Sequence, residues 1–554
     1  MKASVVSALP SGMRPPSVAA ILCLFCIFYP WVNPFAGGPS VSVQPWLASA
    51  MCAALLFAMR RWTPPRFPFS AWLAIVGLLI AAARSLPALD TLALFGGVML
   101  IVAMAGIDGD SREEFVHTMA AAWLLAALVS AAAALLQYFG AADAFSPLIS
   151  QAPLGEAYGN LRQRNQLAAL IAIGLAALLW FVRHGWGWRR VAASLALLAA
   201  ASAASASRTG ALQWLLVLAL AVLWRGPARR RVVTVAGVGL VMHAIAAVSL
   251  PWLLSYTWGV SEPSVFARFG GDDGCASRRV LWSNVVSLIA QRPWTGWGWG
   301  ELDYAHYINL YEGRRFCDIL DNAHSLPLHL AVELGVPVAL VVCGALAWAL
   351  LRLQPWRETD PTRQLALSVV FAILLHSLLE YPLWYGPFQL AFGLAIGLLW
   401  PGPALQRPRA KRMAGARAAI VGVALATLAY AAWEYHRVSQ IYLAPEARSP
   451  QYSADPLSQA RDSRLFGVHV RFAELTLTPL TRANAQWTYD TALELLHYSP
   501  EARVVEKVIE SATLLGKDQV ALAHLARFRA AFPKEHAEWV RERGLLAAPS
   551  PVKD

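Results

Sequence analysis

Apolar residues dominate this chain in long runs, and its polar residues gather in short clusters between them. A run of about 17–25 apolar residues is long enough to cross a bilayer as a helix. By length and hydropathy, roughly thirteen such spans are predicted. They lie near residues 18–36, 43–59, 68–84, 90–106, 115–138, 166–182, 190–206, 211–224, 232–254, 326–351, 364–380, 383–400 and 415–433. The first follows Lys2 and Arg14 and is read as a retained helix rather than a cleaved signal. The expected fold is therefore an all-α polytopic membrane protein.

The basic loops set the orientation. With residues 1–17 placed in the cytoplasm, alternate loops carry Arg60, Arg61 and Arg66; Arg183, Arg189 and Arg190; Arg225, Arg229, Arg230 and Arg231; Arg352, Arg357 and Arg363; and Arg407, Arg409, Lys411 and Arg412. All of these then fall inside, as the positive-inside rule requires, while the acidic stretch "IDGDSREE" adds nothing. The polar segments left outside are "GNLRQRNQ" (159–166), "SRTG" (207–210), the long loop 255–325 and "EYPLW" (380–384). A transmembrane domain is expected over 18–433, with its polar face on the outer, periplasmic side.

Two further segments are helical in pattern. In "RRVLWSNVVSLIAQRPW", Leu281, Trp282, Val285, Val286 and Ile289 share a face, which predicts a helix lying flat on the membrane surface. From residue 440 to 554 the chain turns charged, and a small helical periplasmic domain is expected there. Val505, Val508, Ile509 and Ala512 form one stripe, and Leu522, Leu525, Phe528 and Phe532 another. The pair looks like one tetratricopeptide unit.

Composition agrees with this picture. Hydrophobic residues make up 57% and charged residues only 14%, against about 25% charged in soluble proteins. The net charge of +12 resides in the loop clusters, so it is no nucleic-acid footprint. Cys23, Cys26, Cys52 and Cys343 lie in spans as small apolar residues. Cys275 and Cys317 share the outer loop, where an oxidising periplasm permits a disulfide. No His/Cys spacing points to a metal, and no cofactor is expected.

The candidate chemistry lies on the outer side. Arg208 sits at a span end on the side that basic residues normally avoid, which favours function over a snorkelling anchor. Arg278 and Arg279 open the loop helix. They can bind lipid head groups, or together with Arg208 clamp a diphosphate through charged bidentate hydrogen bonds. In "DNAHSLPLHLAVELG" (321–335), His324 stands at the mouth of an apolar helix. It is either an interfacial polar residue or a general base, oriented by Asp321 and Asn322. Glu333 lies inside that helix, where a charge is functional or paired. His376 and Glu380 are four apart on one face, followed by Tyr381 and Tyr385, and a packing pair is as good a reading as a direct role. Gln163 and Asn165 either cap span six or meet sugar and phosphate oxygens.

Taken in order, "GNLRQRNQLA", "SRTG", "RRVLWSNVVSLIAQRPWTGWGWG", "DNAHSLPLHLAVELG" and "HSLLEYPLWYGPF" resemble the bacterial protein O-oligosaccharyltransferases of the pilin-glycosylation type, within the superfamily of O-antigen ligases and polymerases. The resemblance covers about residues 155–400. Arg164 replaces a proline common in the first motif, and Ser325 an asparagine. The resemblance implies a glycosyltransferase-C type membrane fold without metal. It implies en bloc transfer of a glycan from undecaprenyl diphosphate to Ser or Thr of a periplasmic, pilin-like protein, with inversion at the anomeric carbon. Arg208 and Arg278 match the family's diphosphate-binding arginines and His324 its essential histidine. Ligation of O-antigen to core lipid, or polymerisation of repeat units, is the near alternative. A lipid-linked glycan flippase is a reading from another class, but no internal repeat supports it. A scaffold would leave His324 and the outer arginines unexplained.

Overall fold

The computed structural model describes residues 17–36, 39–85, 89–108, 112–226, 228–260, 274–402 and 407–543. The N-terminal residues 1–16 and the loop residues 261–273 lie outside the described part. Among the described residues the regular structure is helical apart from a short antiparallel pair, in which Arg61 is opposite Asp108 and Trp62 opposite Ile107.

Twelve of the predicted spans correspond to one helix each. Five helices are both long and apolar enough to cross a membrane: Glu113–Tyr138, Arg164–Arg183, Arg229–Trp258, Val336–Arg357 and Gly415–Tyr442. Six more are apolar but shorter, among them Val18–Val32, Val43–Met59 and Gly386–Leu399. The chain is thus a membrane protein. Large apolar side chains such as Ile80, Val248, Leu340 and Val423 stand exposed on these helices, as lipid-facing residues do.

The helix Arg164–Arg183 is the hub of the bundle. Every residue from Gln166 to Val182 is buried. Its apolar surface runs all round the helix, so neighbours cover every side. They include Arg112–Tyr138, Trp188–Ala204, Arg208–Leu223, Arg229–Trp258 and Pro361–Ser377.

The tenth predicted span is not one helix. It divides into Leu326–Leu334 and Val336–Arg352 at Gly335, whose φ is 94°. The tryptophan-rich stretch after Arg292 packs into the break. Trp297 donates to Val332 O at 2.9 Å, Gly298 to Glu333 O at 2.9 Å, and Val336 to Pro293 O at 2.8 Å. A Cβ on Gly335 would lie 2.4 Å from Trp294 O, and one on Gly296 (φ 66°) 2.2 Å from Glu333 O. Both positions therefore require glycine. Hydropathy ran straight through the break because Gly335 is apolar.

The loop helix Arg278–Gln291 also departs from expectation. It buries Leu281, Val285 and Leu288 with Asn284, whereas Val286 is exposed. Its apolar face packs on Leu302, Ala305, Phe316, Leu320, Ala323 and Val332. Most of the face expected to meet lipid thus packs on protein, while Val286 of that face is exposed. Asn284 holds that loop from its polar side, donating to Arg314 O (3.0 Å) and accepting from Phe316 N (2.8 Å). Cys275 and Cys317 form a disulfide, with Cα atoms 5.4 Å apart.

The C-terminal region is a helical module. Val505, Val508, Ile509 and Ala512 are buried as patterned, and Phe528 is buried in the next helix, but Leu522 is exposed. Its core includes Tyr307 from the loop helix Leu302–Ile308. The contact is reinforced by Tyr307 Oη with His524 Nδ1 (2.8 Å), His497 Nδ1 with Glu301 (2.7 Å) and Arg527 with Ile308 O (3.1 Å).

Candidate functional site

Polar segments between the apolar helices converge on Glu380, three residues past the end of Pro361–Ser377. Its carboxylate is almost fully buried. One oxygen meets His324 Nδ1 at 2.7 Å. The other accepts from Asn165 Nδ2 at 2.8 Å and from the Arg278 guanidinium, which also donates to Leu379 O. Burial alone would raise the Glu380 pKa. The His324 hydrogen bond and the nearby charges of His324, Arg278 and His376 outweigh it and hold the group at about 2. The carboxylate is therefore ionised at neutral pH.

His324 owes its place to a local turn. It adopts φ 49°, a conformation unfavourable by roughly 1–2 kcal/mol for a residue with a Cβ. Asn322 Oδ1 accepts the His324 backbone N–H at 2.9 Å and holds the turn. The Tyr381 ring packs edge-on to the imidazole with centroids 5.1 Å apart, and burial raises the Tyr381 pKa, so it remains a neutral phenol. With Nδ1 committed to Glu380, the neutral imidazole carries its proton there and its lone pair on Nε2. About a quarter of the His324 side chain (26%) is exposed, so a substrate can reach it.

Two helix starts join the cluster. Asn165 lies in the first turn of Arg164–Arg183. Its Oδ1 accepts from Ser207 Oγ at 2.6 Å, and Ser207 caps Arg208–Leu223 through Gly210 N at 3.0 Å. Arg208, half-buried, begins that helix one residue on. Sequence reasoning overlooked Ser207; its position before an apolar run was the available signal.

The remaining candidates lie elsewhere. Gln163 caps Arg164–Arg183, accepting from Gln166 N at 3.1 Å. Arg279 is exposed beside Arg278. Glu333 is buried, 3.3 Å from His329 Nε2, and accepts from Gly300 N at 3.1 Å. This pairing, four residues apart on one helix, was legible in the sequence, but His329 went unmarked. His376 is buried against Phe388 at 5.6 Å, and its ring nitrogens find no hydrogen-bond partner among the described residues. Asp321 is exposed. An apolar cavity of about 290 Å³ adjoins the cluster, with Leu326 and Trp384 in its wall and Phe67 and Trp400 farther along. No group of three or more His, Cys, Asp or Glu side chains among the described residues is arranged to hold a metal.

The class defined so far is a helical membrane protein with a histidine–carboxylate–arginine cluster at one end of its bundle. Comparison with known proteins shows what parts of the chain resemble. Residues 193–343 match the model described as O-Antigen ligase, residues 157–181 that of a protein glycosylation ligase, and residues 364–544 the C-terminal model of a virulence-factor membrane-bound polymerase. A general O-oligosaccharyltransferase of Acinetobacter baylyi is 26% identical over 30% of this chain and 29% of its own length. A ComP-specific O-oligosaccharyltransferase of the same organism is 25% identical over 22% of each chain. The chain thus spans less than a third of these relatives in the aligned stretches. Its matched segments are similar to O-antigen ligase, protein glycosylation ligase and membrane-bound polymerase models and to two O-oligosaccharyltransferases.

Proposed function

We propose that this protein transfers a glycan en bloc from undecaprenyl diphosphate to Ser or Thr hydroxyls of a periplasmic, pilin-like protein. The observation that carries the reading is the His324–Glu380 pair beside Arg278. The acceptor oxygen attacks the anomeric carbon as its proton passes to His324 Nε2. The bond from that carbon to the diphosphate oxygen breaks, and undecaprenyl diphosphate departs. A single displacement of this kind inverts the anomeric centre. Glu380 orients the imidazole and stabilises the imidazolium that forms. Arg208 and Arg278, with Arg279 at the rim, hold the diphosphate and its growing charge, the kind of term that is commonly largest in catalysis. The apolar cavity beside Leu326 and Trp384 suits the first part of the prenyl chain. Asn322 and Tyr381 fix the base, while Gln163, Glu333 and His376 support the helices that carry the site.

On this reading the cluster faces the periplasm from the inner membrane, and the tail docked on Leu302–Ile308 frames the approach of the acceptor. An extended segment rich in Ser, Ala and Pro enters such a site without unfolding a core. The test supplies purified protein with undecaprenyl-diphosphate glycan and an acceptor of that composition, followed by intact-protein mass spectrometry. The expected result is one glycan mass added at serine. Glycan appearing only on core lipid, or on a growing polymer, would instead assign the protein to the ligases or polymerases.

A further inference from the structure

Glu380 binds both halves of the proposed machinery at once. Its Oε2 holds His324 and its Oε1 holds Arg278 and Asn165. The Arg278 fork is turned inward, with one terminal nitrogen on Glu380 and the other on Leu379 O. A guanidinium spent on these acceptors presents fewer of its five N–H groups to a diphosphate. A buried carboxylate beside it also repels the same anion.

We propose that Glu380 acts as a counter-anion that competes with the donor for Arg278. In the donor-free protein it holds Arg278; when the diphosphate arrives, Arg278 passes to the phosphate oxygens and Glu380 is left to His324 and Asn165. The inference rests on the reading of His324 as base and Arg278 as diphosphate ligand. It adds an order of events: His324 is already oriented by Oε2 in the donor-free protein, and donor binding draws Arg278 off Oε1, so the carboxylate's charge is left to stabilise the imidazolium that forms during transfer. Asn165 keeps Glu380 in place during the exchange. Through Ser207 it ties the carboxylate to the helix that Arg208 begins. The other titratable groups around Glu380 are Asp321, His376, Tyr381 and Tyr385. His376 and the two phenols are buried with neutral forms available, and Asp321 is exposed, so Arg278 is the partner the diphosphate can take.

The exchange makes a prediction that a purely structural role does not. Replacing the carboxylate by an amide should strengthen donor binding while weakening turnover. The measurement is the affinity of the detergent-solubilised full chain for undecaprenyl diphosphate, with multiple-turnover rates in parallel. Glu380→Gln should bind the lipid about tenfold more tightly, since one repelling charge is gone and Arg278 is released, and should turn over at least about tenfold more slowly. In Arg278→Ala/Glu380→Gln the gain in affinity should vanish relative to Arg278→Ala alone. Glu380→Asp, which keeps the charge on a shorter arm, carries the same test should the amide variant fail to fold; it should tighten binding by a smaller factor. Unchanged or weaker binding in a folded Glu380 variant overturns the exchange. Lipid binding indifferent to Arg278→Ala in the otherwise native protein overturns instead the diphosphate assignment beneath it.

Discussion

At the scale of single residues the account depends on which groups share a carboxylate. Arg278 and His324 meet at Glu380, and the two are not equivalent in what they tolerate. Lysine keeps the charge of Arg278 but loses the planar fork that serves two acceptors. Arg278→Lys should retain part of the transfer rate and Arg278→Ala much less, with kcat/KM for the lipid-linked donor as the measure. A lysine variant as active as wild type would mean that the fork does nothing. The residue types at this site were legible in the sequence. His324, Arg278, Asn165 and Asn322 all stood out as polar groups on the outer side of apolar helices. Their partnerships were not, because Glu380 lies 56 residues from His324 and 215 from Asn165. Contacts that distant leave no periodicity to read. His376 shows the converse. Four residues from Glu380 in the sequence, it read as a packing pair or as a direct participant, yet the helix ends at Ser377 and its ring packs against Phe388.

At the scale of elements the structure turns on how the helix after His324 ends. Hydropathy placed most of the apolar helices within a few residues, since apolar length is a strong signal. It missed the break at Gly335 because a backbone break carries no polar signature. The stretch "RPWTGWGWG" lies against that break, and two glycines permit the approach. Gly335→Ala forces a Cβ against Trp294 O in a φ region unfavourable for alanine, so it should cost about 1–3 kcal/mol. A fall in melting temperature with loss of transfer would be the observed result; a melting temperature equal to wild type would refute the packing argument. The loop that carries His324 is braced a second way, by the disulfide between Cys275 and Cys317, which are 42 residues apart. Closing a loop of that length constrains the unfolded chain by about 4 kcal/mol in the entropic model. Cys275→Ser/Cys317→Ser should therefore lower the unfolding temperature and slow transfer, while leaving the helical circular dichroism of the membrane bundle nearly unchanged. A double variant as stable and as active as wild type would leave the bridge without a role.

At the scale of the molecule the tail and the bundle act on the same loop. The tail meets Leu302–Ile308 through Tyr307, His524, His497 and Arg527, and the chain runs from that helix to His324 within sixteen residues of Ile308. His524→Ala leaves the buried Tyr307 hydroxyl unpaired, a change that costs about 1–3 kcal/mol. It should weaken the tail's docking and raise its protease sensitivity relative to the bundle, which limited proteolysis would show; an unaltered cleavage pattern would contradict this. The change in composition pointed to further helices here, but not to their grip on the loop. Leu522, patterned as core, is exposed, while Tyr307, outside the module, fills part of its core.

The central claim is that His324 takes the acceptor's proton. The most direct measurement is a single turnover with purified protein preloaded with lipid-linked glycan and mixed with a Ser-containing acceptor, comparing wild type with His324→Ala. Loss of a general base costs about 10²–10⁴-fold. The rate of glycan appearance on the acceptor should fall by that factor while the variant still binds the donor and remains folded. Glycan transfer by His324→Ala at close to the wild-type rate would contradict the account.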